Sequence, residues 1–153
     1  MKRATVLFSI AAAGIIMAAL LFNVSMEVRA IKGVKVEIYD VHVEHLLPDI
    51  VLTVGTKIIN DEHRKVRGLS GNFTILVSNT SVGIMGFDAI DIGATSYETV
   101  RVMLTISYSQ VAQSLIEAIT AMQFTVTITG SVTGKIFFGL MNYEQPVEAR
   151  WQA

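Results

Sequence analysis

The residues whose types and spacing would suit a metal ion lie in one short stretch. Asp40, His42 and Glu44 occur at every second position, and His45 follows them. Carboxylate and imidazole groups are ligands for divalent metals. On an extended strand these positions spread over roughly 13 Å, which is too far for one ion without ligands from a second element. The spacing therefore favours a solvated strand face over a metal site.

A second acidic group lies at residues 86–93. Asp88 and Asp91 are flanked by Gly86 and Gly93, a composition that resembles a calcium-binding loop. The alternation of oxygen ligands that such a loop requires is missing. Aspartates in turns also accept hydrogen bonds from nearby backbone amides, and that is the interpretation we favour.

The one basic cluster is the segment His63-Arg64-Lys65 together with Arg67. Such a cluster would suit anionic lipid headgroups or an acidic partner. Asp61 and Glu62 precede it and offset its charge, so an ordinary solvated loop is the favoured alternative.

No other pattern indicates catalysis or a cofactor. The sequence has no Gly-rich phosphate loop and no serine–histidine arrangement that suggests a nucleophile, and it has no cysteine for a disulfide or a thiolate metal site. Beyond residue 33, eight lysines and arginines stand against twelve aspartates and glutamates, a formal net charge of −4. A mildly acidic domain neutralises phosphates poorly. We therefore expect no enzyme activity, no cofactor and no nucleic-acid partner.

The most informative stretch is apolar and runs from Ala4 to Met26. It contains no ionisable side chain and follows Lys2 and Arg3. As a helix it would span roughly 34 Å, enough to cross a hydrocarbon core of about 30 Å. A signal peptide has an apolar core of only about 7 to 15 residues. We therefore predict a retained transmembrane anchor over residues 1–26. The alternative is a signal peptide cleaved at the weak site Val28-Arg29-Ala30.

Residues 27–33 mix charged and small residues and end in glycine, so we predict a short juxtamembrane connector there. Basic residues flank both ends of the anchor, and the positive-inside rule gives no clean orientation. Asn-x-Ser/Thr sequons begin at Asn23, Asn72 and Asn79. Asn23 is too near the membrane, which leaves Asn72 and Asn79 as candidate glycosylation sites. We predict a single-pass protein with its C-terminal domain on the extracytoplasmic side.

Within the anchor, Ala11, Gly14 and Ala18 fall near one helix face. Small residues at this spacing let two membrane helices approach closely. Alanine-rich anchors also produce the spacing by chance, which is the favoured reading. Membrane lipid is accordingly the first expected partner, and other membrane-protein subunits are the second.

After residue 33 the hydrophobic pattern changes to a period of two, which is typical of half-buried strands. Predicted strands cover residues 34–43, 50–59, 73–77, 82–85, 90–93, 100–106, 124–133, 136–140 and 143–151, and residues 60–67 form a polar loop. One amphipathic helix interrupts them, with Ser107 or Ser109 as its cap. Its apolar stripe comprises Val111, Ala112, Leu115, Ile116, Ile119 and Met122.

Short strands with regularly spaced turn signals favour an antiparallel β-sandwich over residues 34–153. A domain of about 120 residues buries an adequate core without disulfides. The sequence therefore predicts an all-β, immunoglobulin- or fibronectin-like sandwich with one short helix, behind one N-terminal transmembrane helix.

Five segments carry a family resemblance: the strand at 49–60, the hairpin at 73–83, the strand at 99–106, the helix through Leu115 and Ile119, and the strand at 124–130. Their order resembles the late-embryogenesis-abundant type 2 proteins, also called the water stress and hypersensitive response (WHy) domain. Where that family has Asn-Pro, this chain has Asn60-Asp61. The resemblance implies a sandwich behind a membrane helix, no catalytic residues, and an association with dehydration and other stress.

These observations together predict a non-catalytic protective or binding module held at a membrane surface. The alternative is an accessory structural subunit of a membrane complex or cell-surface assembly, which would use its helix and one sandwich edge for contacts. An enzyme would need a concave pocket with convergent titratable groups.

Overall fold

A computed structural model describes residues 2–153, with side chains described from residue 9 onward. The chain forms one long helix followed by a β-sandwich with a second, short helix. The elements are α1 (Lys2–Lys32), β1 (Val34–His45), β2 (Ile50–Asn60), β3 (Val66–Val77), β4 (Thr80–Ile92), β5 (Ser96–Ile106), α2 (Gln113–Thr120), β6 (Thr125–Ile136) and β7 (Met141–Gln152). The predicted fold class is confirmed.

The seven strands form two antiparallel sheets. One has three strands in the order β1-β2-β5, and the other has four in the order β4-β3-β6-β7. The sheets pack closely where β4 meets β5: a Cβ atom on Gly83 would lie 2.6 Å from the Cδ2 atom of Leu104. Glycine at this position therefore lets the two layers approach.

The alternation in the sequence places the core as predicted. On β6, Val126, Ile128 and Val132 are buried, whereas the threonines between them are at least partly exposed. Apolar rows from both sheets thus face each other, with a polar row outside, as expected of antiparallel sheets with one wet face.

Two details of the strands differ from the prediction. The strand predicted at 136–140 is wrong: Phe137, Phe138 and Gly139 have φ values of 52°, 58° and 84° and form a turn between β6 and β7. The predicted hairpin is present but much longer, because β4 continues to Ile92 through register shifts against β3. It therefore includes the separate extended piece predicted at 90–93.

The connector predicted at 27–33 is also wrong, because helix α1 continues to Lys32. Ala30 and Ile31, on its last turn, are 2% and 1% exposed and belong to the core of the sandwich. The backbone amide of Gly33 donates to the carbonyl of Arg29 at 3.0 Å, and β1 starts at Val34. The burial of this last turn explains why the helix does not end at the first charged residue.

The predicted serine cap of α2 is wrong as well. The helix begins at Gln113 after Ala112, which makes no side-chain capping bond. The hydroxyls of Ser107 and Ser109 lie 3.2 Å from each other instead. Of the predicted apolar stripe, Leu115 and Ile119 are buried, Val111 and Ile116 pack partly buried against the core, and Ala112 and Met122 are exposed.

From Ser9 to Lys32, α1 is long and apolar enough to cross a membrane. Its full 31 residues correspond to about 46 Å of helix. Among the side chains described from Ser9 onward, those of α1 that pack against the core lie in its C-terminal part and include Val24 and Val28. The apolar stretch from Ser9 to Phe22 therefore extends away from the domain.

Candidate functional site

The feature on which a function would depend is the end of the sandwich where α1 enters it. Ile31 packs against the backbone of Gly134 on β6, where a Cβ atom would come within 2.5 Å of the Ile31 Cδ1 atom. Ala30 lies buried beside it. This contact joins the helix to the four-stranded sheet without an intervening flexible segment.

Polar side chains of α1 complete the junction. Glu27 Oε2 accepts a hydrogen bond of 2.6 Å from the backbone amide of Phe137, the first residue of the β6–β7 turn. Arg64 Nη2 lies 3.6 Å from Glu27 Oε1 and donates to Asn23 Oδ1 at 2.5 Å. Arg64 thus bridges two successive turns of the helix and ties them to the loop between β2 and β3.

The four ion pairs among the described side chains all lie at this end. They are Arg29–Glu62, Lys35–Asp61, Arg64–Glu27 and Lys65–Asp91. Ion pairs that stay in contact with solvent each contribute about 0–1 kcal/mol, so these pairs matter mainly for where they place charge. We call residues 27–35, 61–67, 91–95 and 135–141 the helix-proximal end.

Hydrogen bonds and charges shift two pKa values here. The backbone amide of Gly68, at 2.9 Å, and then the Lys65 ammonium lower the pKa of Asp91 below its usual value. The Asp61 carboxylate raises the pKa of Lys35. The local turn contact favoured from the sequence is wrong: Asp91 lies on β4 and accepts from an amide of β3 that is 23 residues away along the chain. Asp88 is exposed on β4.

A cleft of about 480 Å³ opens at the helix-proximal end. Its lining comprises Asn23, Glu27, Ala30 and Ile31 of α1, Arg64, Lys65, Val66 and Arg67 around the start of β3, and Lys135, Phe138 and Gly139 around the β6–β7 turn. It contains three of the four basic residues predicted as a cluster, which the fold extends with Lys135. The sequence did not reveal Lys135 as a member, since it lies far away along the chain.

The candidate metal residues do not converge. Asp40, His42, Glu44 and His45 are all exposed on β1. Asp40 and His42 pair with Gly55 and Thr53 of β2, and Glu44 lies at the register shift between Val43 and His45. Glu44 accepts a hydrogen bond of 3.1 Å from the hydroxyl of Thr53. Within residues 9–153 no group of three or more His, Cys, Asp or Glu side chains is placed to hold a metal ion.

The three sequon asparagines occupy different environments. Asn72 is exposed within β3, and Asn79 is exposed in the two-residue turn between β3 and β4. Ser78 and Asn79 have φ values of 47° and 67°, which suits asparagine in a hairpin turn. Asn23 is partly buried under Arg64. Use of Asn72 and Asn79 as glycosylation sites stays a prediction.

The small-residue face of α1 is open. Ala11, Gly14 and Ala18 are exposed, and a Cβ atom on Gly14 would meet nothing within 4 Å. One continuous helix, α1, contains all four positions predicted to span a membrane: Ala4, Gly14, Ala18 and Met26. The side chain of Ala4 is not among the described side chains.

The sequence missed a buried polar residue that organises the helix-proximal end. Asn60 is 0% exposed, and its amide nitrogen donates to the carbonyls of Arg64 and Gly93 at 2.8 Å each. Its oxygen accepts from the amide of Glu62 at 3.2 Å. Asn60, which stands where the late-embryogenesis-abundant type 2 family has the asparagine of its Asn-Pro pair, thus holds together the β2–β3 loop and the β4–β5 loop. We call this set of hydrogen bonds the clamp.

A second missed cluster lies on the outer face of the three-stranded sheet. Lys57 Nζ lies 5.3 Å and 5.1 Å from the ring centroids of Tyr39 and Tyr97. Arg101 Nε donates to the Tyr39 hydroxyl at 2.9 Å. These residues come from three strands, so only the register brings them together.

Comparison with known proteins supports the fold. The solution structure of AT1g01470 from Arabidopsis thaliana aligns over 78% of this chain and 80% of its own, with a TM-score of 0.58 and 11% identity. The X-ray structure of the structural-genomics target SoR45 aligns over 80% of this chain and 89% of its own, with a TM-score of 0.51 and 9% identity. At these identities the likeness concerns the fold.

A third similar structure is At2g46140.1, provisionally assigned as a late embryogenesis abundant (LEA) protein. It aligns over 94% of this chain and 85% of its own, with a TM-score of 0.47 and 8% identity. No protein-family model and no curated protein matches the sequence. The chain is an antiparallel β-sandwich behind a long apolar helix.

Proposed function

We propose that this chain is a non-catalytic protective or binding module that α1 anchors in a membrane. The observation that carries the proposal is the apolar surface of α1. Ile10, Ile15, Ile16, Met17, Leu21 and Phe22 are between 59% and 70% exposed. Leaving apolar area in water costs roughly 25 cal/mol per Å², and a lipid bilayer removes that cost.

The junction supports a retained anchor over a cleaved signal. Cleavage near residues 28–30 would remove Glu27, which bonds the β6–β7 turn, and would separate Ile31 from the helix that holds it in the core. A removable leader has no reason to supply buried contacts to the mature domain.

Alkaline carbonate extraction of membranes from cells that express the full chain tests the anchor. We expect the chain to stay in the membrane pellet. The double substitution Ile15→Lys with Ile16→Lys should release it, since each lysine at a helix centre costs about 2.5–3.5 kcal/mol of insertion free energy. The matched control, Ile15→Leu with Ile16→Leu, should remain in the pellet. Release of the unmodified chain would contradict the proposal.

We propose the extracytoplasmic side for the sandwich. The absence of cysteine from the chain permits a clean test. Ser81→Cys places one thiol at an exposed position of β4, and a membrane-impermeant maleimide should label it in intact cells. Labelling only after permeabilisation would place the domain on the cytoplasmic side.

The proposed absence of catalysis is supported by how the acidic and basic groups of the cleft at the helix-proximal end are paired. Glu27 and Arg64 are engaged in holding α1 to the sandwich, and Lys65 is paired with Asp91. Glu27 and Arg64 therefore serve the junction, and Lys65 joins the β2–β3 loop to β4.

A protective role is supported by the LEA-like order of strands and helix. Vesicles that carry the full chain should retain more of a trapped dye through drying and rehydration than vesicles with an unrelated single-pass protein. Equal dye leakage from the two kinds of vesicle would contradict the protective role without contradicting the membrane anchor.

The alternative, an accessory subunit, predicts a different result on purification. Native purification from membranes followed by mass analysis should recover a lone module without stoichiometric partners. If the chain is recovered only within a defined larger assembly, the result would contradict the lone protective module and support the accessory subunit.

A further inference from the structure

The β6–β7 turn presents apolar side chains that the sandwich does not use. Phe138, Leu140 and Met141 are 70%, 76% and 58% exposed. A turn on a soluble surface is usually polar. Isolated apolar residues at a surface are common. Three of them within four positions form an apolar patch, which is more stable in contact with another apolar surface than with water.

The position of this turn along α1 identifies that environment. A hydrocarbon core of about 30 Å takes about twenty helical residues, and counted from Ala4 these end at Asn23. The turn begins level with Glu27, whose carboxylate bonds the amide of Phe137. Four residues of helix separate these levels by about 6 Å, which is within the headgroup layer of about 5 to 8 Å.

The β6–β7 turn also lies next to α1 in the plane that a bilayer around the helix would occupy. Phe138 and Gly139 line the same cleft as Asn23. A bilayer that surrounds α1 up to Asn23 would therefore come close to this turn, and also to the β2–β3 loop whose Arg64 bonds Asn23.

The charge at this end suits an anionic surface. The helix-proximal end carries seven of the ten lysines and arginines that follow Met26 but only four of the thirteen acidic residues. Among the cations around the cleft, Arg67 and Lys135 form no ion pair with any described residue. The aliphatic stem of Lys135 lies over Gly68, with its Cδ atom 3.1 Å from where a Cβ would be.

We propose that the helix-proximal end is a bilayer-docking surface: the β6–β7 turn inserts Phe138 and Leu140 into the headgroup–acyl boundary, and Arg67 and Lys135 bind the phosphates of anionic lipid headgroups. The proposal rests on the membrane anchorage proposed above. It adds that the sandwich lies directly on the bilayer, and it assigns the lipid class that the cleft prefers.

The insertion is tested on the full chain in vesicles of equimolar phosphatidylcholine and phosphatidylglycerol. Phe138→Cys carries an environment-sensitive fluorophore, and Ser81→Cys, at the opposite hairpin, is the matched control. We expect a blue-shifted emission at residue 138 that lipids with a quencher near the headgroup suppress, and an aqueous emission at residue 81.

An aqueous emission at residue 138 in a chain that resists carbonate extraction would overturn docking while leaving the anchor intact. A blue shift that lipid quenchers do not affect and that grows with protein concentration would show that a second copy of the chain covers the turn. That result would overturn docking to the bilayer. Failure of carbonate resistance would instead contradict the anchor.

The lipid preference is tested by titrating the full chain in detergent with phosphatidylglycerol or phosphatidylcholine and counting retained lipids by native mass spectrometry. Each lysine or arginine near an anionic surface contributes about 1 kcal/mol, or roughly fivefold. Arg67→Gln with Lys135→Gln should therefore weaken phosphatidylglycerol binding about 25-fold. Arg150→Gln, on β7 away from the cleft, should leave it unchanged. Equal binding of the two lipids would overturn the preference.

Discussion

Ile31 of α1 occupies the space above Gly134 so closely that a methyl group on this glycine would lie 2.5 Å from the Ile31 Cδ1 atom. The contact is between a helix that leaves the domain and a central strand of the four-stranded sheet. It fixes how the helix and the sandwich are joined, and it can be tested without reference to a membrane.

We expect Gly134→Ala to destabilise the protein by about 1–3 kcal/mol, because overpacking a filled core forces side chains from their rotamers. The measurement is the free energy of unfolding of the full chain in detergent. Gly93→Ala is the matched control, since its Cβ would meet only Ser96 at 3.5 Å. In an Ile31→Ala background, Gly134→Ala should cost much less. Equal costs in both backgrounds would show that the two residues are not coupled.

Asn60→Ala should destabilise the domain by about 2–4 kcal/mol, because it leaves the carbonyls of Arg64 and Gly93 and the amide of Glu62 without a buried partner. Urea denaturation monitored by circular dichroism measures the loss. Asn142→Ala, at an exposed position of β7, should change stability by less than about 0.5 kcal/mol. A loss at Asn60 no larger than this control would refute the clamp.

The acid sensitivity of the domain should depend partly on Asp91. The Gly68 amide and Lys65 lower its pKa in the folded state, so its stabilising contribution is complete above the unfolded pKa of about 3.9. It is lost as the pH falls towards the folded value, since the unfolded chain binds the proton first. Asp91→Asn should flatten the fall of the denaturation midpoint below about pH 4, whereas Asp88→Asn should not. An unchanged profile in Asp91→Asn would contradict the assignment.

The bond from Glu27 to the Phe137 amide should protect that amide from hydrogen exchange. We expect Glu27→Ala to speed its exchange roughly fivefold, which corresponds to about 1 kcal/mol for one hydrogen bond. Glu27→Gln keeps an oxygen acceptor but loses the charge opposite Arg64, so its effect should be smaller. Exchange at Val126, in the centre of the sheet, is the internal reference. The same rate in all three proteins would show that the bond does not form in solution.

Much of the fold follows from local sequence pattern. The alternating rows of β2 and β6 predict both the strands and the faces that they bury, since every second side chain of a strand points the same way. The Ser78-Asn79 turn follows from polar residues that tolerate positive φ. These features depend on residues within a few positions of one another, and the sequence displays them directly.

The elements that the sequence misplaced depend on distant contacts. Glu27 and Arg29 resemble a connector until Ile31 and the amide of Phe137 are known to lie beside them. The pair Phe137-Phe138 resembles a strand because aromatic residues rarely adopt positive φ. Only Gly139 was a local signal of a turn. The candidate site, formed from α1, the start of β3 and the β6–β7 turn, could not be assembled from sequence for the same reason.

The unbroken passage of α1 into the sandwich has a mechanical consequence. A membrane helix that is longer than the local bilayer core tilts to accommodate the mismatch. Since the last turn of α1 is locked into the domain by Ile31, any tilt would be transmitted to both sheets through the same angle. Bilayer thickness would thereby set the direction in which the far hairpin at Asn79 points.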